Sequence, residues 1–394
     1  MPWVLRQGRV PRPDAWATLR AMLHTPFPLP ARWTTRLDWF FMAIFPPVIE
    51  PGEPGRVVAR CGARLVSCRC DDGAVAWSAE IDPEGGNGAF FLGHEDMYLT
   101  EQARLPPSCM ATIVAVEAES AGGAGGAGGA GDAGGRQRWR TDLDTMVALG
   151  SAAVHGDELC ALSLDPASEQ PTLLYRLALA DGALRGQEPL PWPADAVLPL
   201  SGGLLVRNQR VAAGAPGLYL VDAGTATPLL ADAVIHTVLD TAIDLARQDQ
   251  LLAVITRADG SYTARVYAAG GMELVWQAPI ASAAAALAGG DLFHVEDADH
   301  GKACTLVCRD ARTGAVRWRS ALLPPQIPSI SVAGAIVICN HRQGQVVCRR
   351  RDGHVIGQIR GSYGPPAHHG DSLYLCRPGA MLCVSLAGVD ELGA

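Results

Sequence analysis

Lysine is almost missing from this chain. Lys302 is the one lysine in 394 residues, and arginine carries the rest of the positive charge. With a net charge of −8, the composition argues against nucleic acid as the main partner, because a phosphate backbone needs clustered cations. Long apolar runs are missing too. The most apolar early stretch, 39–49, is interrupted by Pro46 and Pro47 and falls short of the ~20 residues that span a bilayer. The opening MPWVLRQGRVPRPDAW has no apolar core of signal-peptide length and no small-residue cleavage site, so the expected location is the cytoplasm. No Cys-x-x-Cys pair occurs, nor a G-x-S-x-G elbow, nor a glycine loop followed by Lys-Ser/Thr. These absences withdraw zinc knuckles, hydrolase nucleophiles and phosphate loops from the candidates. The eleven cysteines, an odd number, are expected as free thiols in a reducing compartment.

What is present is repetition. Residues 1–30 form an extension with one predicted helix, Asp14 to Leu23, carrying Trp16, Leu19, Met22 and Leu23 on one side. Such a stripe packs on the body of the protein or docks a partner. From Ala31 onward, short runs rich in Val, Leu, Ile and Tyr alternate with Gly and Asp turns, the pattern of many short strands. Trp33, Trp77, Trp139, Trp276 and Trp318 each follow a turn and precede a few residues ending in Leu or Ile. Three further Asp-Gly-type turns lack the tryptophan and place Gly186, Pro228 and Gly357 at the equivalent position. The eight marks are about 46 residues apart, the period of a four-stranded propeller blade.

An all-β, eight-bladed propeller of four-stranded antiparallel blades follows, with residues 31–392 as a single domain. The last blade lacks one strand and the first tryptophan strand lacks three. Residues 31–37 are therefore expected to close the ring against residues 366–387; seven blades would result if they did not. Closure removes exposed sheet edges. The one long interval contains the Gly/Ala-rich segment 120–135, read as a flexible loop insertion within a blade.

The fullest copy of the repeat is CRDARTGAVRW, Cys308 to Trp318, with Asp310, Thr313 and Gly314 in its turn; Gly73 with Trp77 belongs to a shortened copy. This pattern resembles the tryptophan-docking repeat of quinoprotein-type (PQQ-like) β-propellers, placing the chain beside the quinoprotein alcohol dehydrogenase-like and WD40/YVTN-like propellers. The resemblance implies blades locked by each tryptophan packing on its neighbour. It does not carry over the enzymes' chemistry. Their vicinal Cys-Cys disulfide has no counterpart here, there is no haem-binding Cys-x-x-Cys-His, and no calcium ligand or catalytic aspartate can be matched. Pyrroloquinoline quinone is accordingly not expected as a cofactor.

Other constellations have structural readings. Cys61/Cys68, Cys339/Cys348 and Cys376/Cys383 recur in three consecutive blades as small buried residues. His155 and His369 share a Gly-Asp turn phase, and His368 adjoins the second of these. His294, Glu296, Asp297, Asp299 and His300 form the densest polar group, but with spacing wrong for a calcium loop. No catalytic, cofactor-binding or metal residue is assigned. The expected function is a non-catalytic bacterial scaffold for protein–protein interaction, with a divergent quinone-linked oxidoreductase or other channel enzyme as the alternative. Some similar cytoplasmic propellers are thought to work beside AAA+ ATPases and von Willebrand A proteins.

Overall fold

The computed structural model describes residues 31–386 apart from 37–46, 51–54, 62–63, 82–90, 104–110, 119–134, 165–170, 209–215, 231–233, 241–250, 269–271, 299–302, 342–343, 361–363 and positions 96, 201, 223, 365 and 378. The predicted helix at 14–23 lies outside the described residues.

The described chain forms eight four-stranded antiparallel sheets. Blade one takes residues 48–80, blade two 91–143, blade three 146–189, blade four 196–230, blade five 234–280, blade six 285–323 and blade seven 329–360. Blade eight combines three strands within 367–385 with Ala31–Arg36 from the start of the chain. That strand lies antiparallel to Ala380–Ser385, with Trp33 opposite Cys383. The ring is therefore eight-bladed, and its last sheet is completed from the other end of the polypeptide. The first strands of neighbouring blades touch one another, as Val48–Glu50 does with Ala367–His369 and Met146–His155 with Ala196–Leu200. They are thus the strands nearest the ring axis.

Burial explains the sequence pattern. Strands in mid-blade are buried on both faces, like Arg56–Cys61 and Gly344–Arg349, and so read as apolar runs without strict alternation. The outermost strands are exposed except at the tryptophan: in Ala31–Arg36 and Val75–Glu80 only Trp33 and Trp77 are fully buried. All eight marked positions, Trp33, Trp77, Trp139, Gly186, Pro228, Trp276, Trp318 and Gly357, fall on outermost strands.

The tryptophans reach across to the next blade. Trp33 Nε1 donates to the Cys70 carbonyl at 3.0 Å, Trp139 to Leu179 at 2.8 Å and Trp276 to Ala311 at 2.8 Å. Each acceptor lies three residues before a turn glycine, and the ring lies flat on that glycine. A Cβ on Gly73 or Gly182 would approach the ring of Trp33 or Trp139 to 2.4 Å. Both glycines also have positive φ, 74° and 73°, which side chains resist. Thr35 and Thr141, two residues past their tryptophans, donate to the carbonyls of the same glycines. A hydrogen bond, a ring contact and a hydroxyl thus hold one blade on the next.

Blade two shows what the Gly/Ala insertion does. Glu117 N–H bonds the Arg136 carbonyl at 2.8 Å, as Asp310 bonds Ala315 in blade six. Gly135 therefore stands where Gly314 stands, and Trp77 lies beside it. The indole N–H of Trp77 is buried with no hydrogen-bond partner among the described residues.

Where a blade lacks its tryptophan, the strand partner is often larger. Small residues, Cys383, Ser67, Ala115 and Cys308, face Trp33, Trp77, Trp139 and Trp318, whereas Arg176 faces Gly186 and Tyr219 faces Pro228. Arg176 is held by Glu188 at 3.0 Å and Glu158 at 3.3 Å. Tyr219 packs edge-on to Trp192 with ring centres 5.2 Å apart.

Gly182→Ala and Gly156→Ala separate steric from conformational cost. Both glycines have positive φ, but a Cβ at Gly156 meets nothing within 4 Å. Gly156→Ala is expected to cost about 1 kcal/mol in urea unfolding, and Gly182→Ala at least ~2 kcal/mol more, because the Trp139 ring must move. Equal losses would show that the ring contact contributes nothing.

Candidate functional site

In a four-stranded meander, the first and third turns of every blade lie on one face of the ring. Aspartates shape this face. Asp72 accepts from Ala74 N–H at 2.8 Å, Asp181 from Ala183 at 3.0 Å and Asp352 from His354 at 3.0 Å. Asp310 accepts from the N–H groups of Arg312 and Thr313, each at 2.9 Å, and from the Thr313 hydroxyl at 3.1 Å. Arg317, at 2.6 Å, and the Thr313 N–H pull the Asp310 carboxyl down to about 2. Asp310, Thr313, Gly314 and Gly73 thus sit in turns, and the five repeat tryptophans sit beneath the turns of the next blade.

A cavity of about 370 Å³ opens on this face between blades six and seven, lined by Asp291, Cys308, Arg317, Trp318, Arg350 and Arg351 among others. Asp291 opens the second strand of blade six and is buried. Arg317 approaches it at 3.1 Å and Arg350 at 3.3 Å. Arg350 also donates to the Ala288 carbonyl at 2.9 Å and lies over the Phe293 ring at 5.9 Å. Trp318 forms a wall, its ring lying on Gly353. None of these arginines was singled out from the sequence. The signal was there in the run Arg349-Arg350-Arg351.

The polar group of blade six resolves into ion pairs. Glu296 accepts from Arg309 at 2.9 Å and Arg319 at 3.2 Å, and Arg309 Nε donates to His294 Nε2 at 2.9 Å. An accepting Nε2 requires a neutral imidazole. Burial, helped by the Arg309 charge, holds His294 down at about 4. Asp299 and His300 lie outside the described residues. His369 ends a short strand, and His368 fills the space over Gly334.

Nine of the ten described cysteines gather at two blade interfaces, Cys160 lying apart between blades three and four. Cys61, Cys68, Cys376 and Cys383 share the core between blades one and eight, with half-buried Cys70 at its edge; Cys304, Cys308, Cys339 and Cys348 share that between blades six and seven. Pairs that the sequence places within one blade thus meet across two. Burial pushes the thiols up, Cys61 and Cys308 to about 12 and Cys68 to about 11. Among the described residues, no group of three or more His, Cys, Asp or Glu side chains is placed to hold a metal ion. Of the strands nearest the axis, Ala196–Leu200 and Ala285–Ala288 are wholly apolar, whereas Val48–Glu50, Met146–His155 and Ala367–His369 carry polar residues.

Comparison with known proteins agrees with this geometry. Residues 125–387 match the family model described as outer membrane protein assembly factor BamB, of the PQQ-like repeat class. The chain belongs to this family of β-propellers. No curated protein matches it. Among solved structures it is similar to BamB from Moraxella catarrhalis, at 14% identity and TM-score 0.58, covering 89% of this chain and 98% of that one. It is also similar to the quinohemoprotein alcohol dehydrogenase ADHIIG from Pseudomonas putida HK5, at 10% identity and TM-score 0.57, covering 91% and 76%. The computationally designed Ika8 protein is similar at 9% identity and TM-score 0.61, covering 90% and 99%. At these identities the structural likeness is one of fold.

Two measurements test the site chemistry. The unfolded His294 imidazole takes a proton near pH 6.5, the folded one near 4. Its contribution to stability is therefore complete above pH 6.5 and is lost as pH falls toward 4, on the order of 2 kcal/mol between pH 7 and pH 5. Urea midpoints at the two pH values should show this slope in the wild type and a shallower one in His294→Gln. With a thiol-reactive disulfide reagent at pH 8, half-buried Cys70 should react first of the ten described cysteines; faster labelling of Cys308 would contradict its burial.

Proposed function

We propose that this propeller is a non-catalytic scaffold that presents its turn face to another protein and supports assembly of a complex. The observation that carries this reading is the tryptophan lock. It fixes the Asp-Gly turns of successive blades as one rigid surface, and a rigid surface binds with less ordering cost than a set of mobile loops. Membership in a family whose model is described as an assembly factor supports the same reading. The described charged groups also favour it. Those on the turn face, such as Asp72, Asp310, Asp352, Arg317 and Arg350, are engaged in turns and ion pairs, and no group of three or more metal-ligating side chains is found among the described residues.

We further propose that no quinone is used, supported by the absence of a vicinal Cys-Cys pair. No step is derived through such a group. An AAA+ ATPase or von Willebrand A protein is one kind of partner to look for.

A native pull-down of the tagged chain, from both soluble and membrane fractions of its own host, tests the proposal. Mass spectrometry with stoichiometry is expected to find one near-equimolar protein partner. A chain recovered alone, together with dye-linked alcohol oxidation above the protein-free control when quinone and calcium are added, would overturn it.

A further inference from the structure

We propose that the cavity between blades six and seven, walled by Arg317, Arg350, Arg351 and Trp318, is the docking point for an acidic, carboxylate-bearing segment of a protein partner. This rests on the scaffold reading and names the chemistry of the surface used.

The charge distribution is the first support. Residues 285–360, blades six and seven, contain ten Lys or Arg against six Asp or Glu, in a chain whose net charge is −8. Of the acids in this sector, Glu296 is already paired, with Arg309 at 2.9 Å and Arg319 at 3.2 Å. At the turn face, three carboxylates, Asp291, Asp310 and Asp352, are shared among four guanidiniums, those of Arg317, Arg349, Arg350 and Arg351. Positive charge therefore exceeds negative charge around the cavity.

Preorganisation is the second support. Arg350 is fixed by a backbone carbonyl, a buried carboxylate and an aromatic face before anything binds. Trp318 is fixed by Gly353 beneath its ring and by Phe293, with ring centres 5.9 Å apart. A guanidinium already held in place loses little freedom when it pairs with a carboxylate, and its planar fork suits that group. The interleaved aspartates select the kind of polymer. They would repel an unbroken phosphodiester chain, whereas a peptide can set its carboxylates between them and offer them backbone N–H groups.

The test uses a fluorescein-labelled peptide of alternating glutamate and glycine, with a lysine peptide and a single-stranded DNA oligonucleotide of equal length as comparators. Anisotropy titrations are made with wild type, Arg351→Ala and Arg185→Ala. Arg351 and Arg185 are 57% and 42% exposed, so both replacements should fold, and Arg185 samples the same face at blade three. The glutamate peptide should bind best. Arg351→Ala should weaken it about three- to five-fold, the range of one exposed ion pair, with Arg185→Ala unchanged. Equal losses in both variants, tighter binding of the oligonucleotide, or no binding of the glutamate peptide would overturn the proposal. If a partner captured by wild type is held equally by Arg351→Ala, this docking point falls while the scaffold stands. If the chain is recovered alone and oxidises alcohols with quinone and calcium, yet binds the glutamate peptide selectively, the scaffold falls while the carboxylate preference of the cavity stands.

Discussion

The structure depends on an aromatic ring lying on a glycine. Each repeat tryptophan packs on the next blade, fully buried at Trp33, Trp77 and Trp139 and half-buried at Trp276 and Trp318. Its stabilisation is therefore gained only when two blades are in place. Gly73, Gly182, Gly314 and Gly353 must lack a side chain for two reasons at once, a positive φ and a ring where the Cβ would be. Contacts of this kind make neighbouring blades interdependent, and a ring of interdependent blades has no natural end. Ala31–Arg36 supplies the last join, pairing with Ala380–Ser385 and docking Trp33 on blade one.

The same lock explains features that resemble chemistry. Cys308 and Cys383 are the strand partners of Trp318 and Trp33, in the place that Ser67, Ala115 and Val266 take opposite Trp77, Trp139 and Trp276. Across the interfaces they are met by Cys339 and Cys348 of blade seven and by Cys61 and Cys68 of blade one. His294 is a neutral acceptor for Arg309 in a satisfied network. Variation in the lock is tolerated where other groups fill the space, as Arg176 with its two glutamates does in blade three and Trp192 with Tyr219 does in blade four.

Against this uniform scaffold, the boundary between blades six and seven stands apart. It joins the fullest copy of the repeat to the run Arg349-Arg350-Arg351, and it is where a cavity opens on the turn face. Repetition holds the backbone of the turns constant, so differences in binding must come from the side chains that decorate them. A sector of net positive charge on a molecule of net negative charge steers a partner toward one orientation.

Much of the fold was legible in one dimension because a propeller is built from local meanders with a fixed period. Strand alternation, Asp-Gly turns and the spacing of Trp33, Trp77, Trp139, Trp276 and Trp318 are all short-range signals, and even ring closure follows from counting strands at the two ends. The cavity was not legible. Asp291, Arg317 and Arg350 are 26 to 59 residues apart in sequence, and nothing local indicates that they share one space. The cysteines show the same limit: spacing assigned them to pairs within blades, and packing joins those pairs to cysteines of the neighbouring blade as well. The sequence by itself determined the blade, since a meander is made of neighbours along the chain. Only the tertiary structure decided which side chains face one another between blades, because that depends on ring closure and on the angle at which each tryptophan sets one sheet against the next.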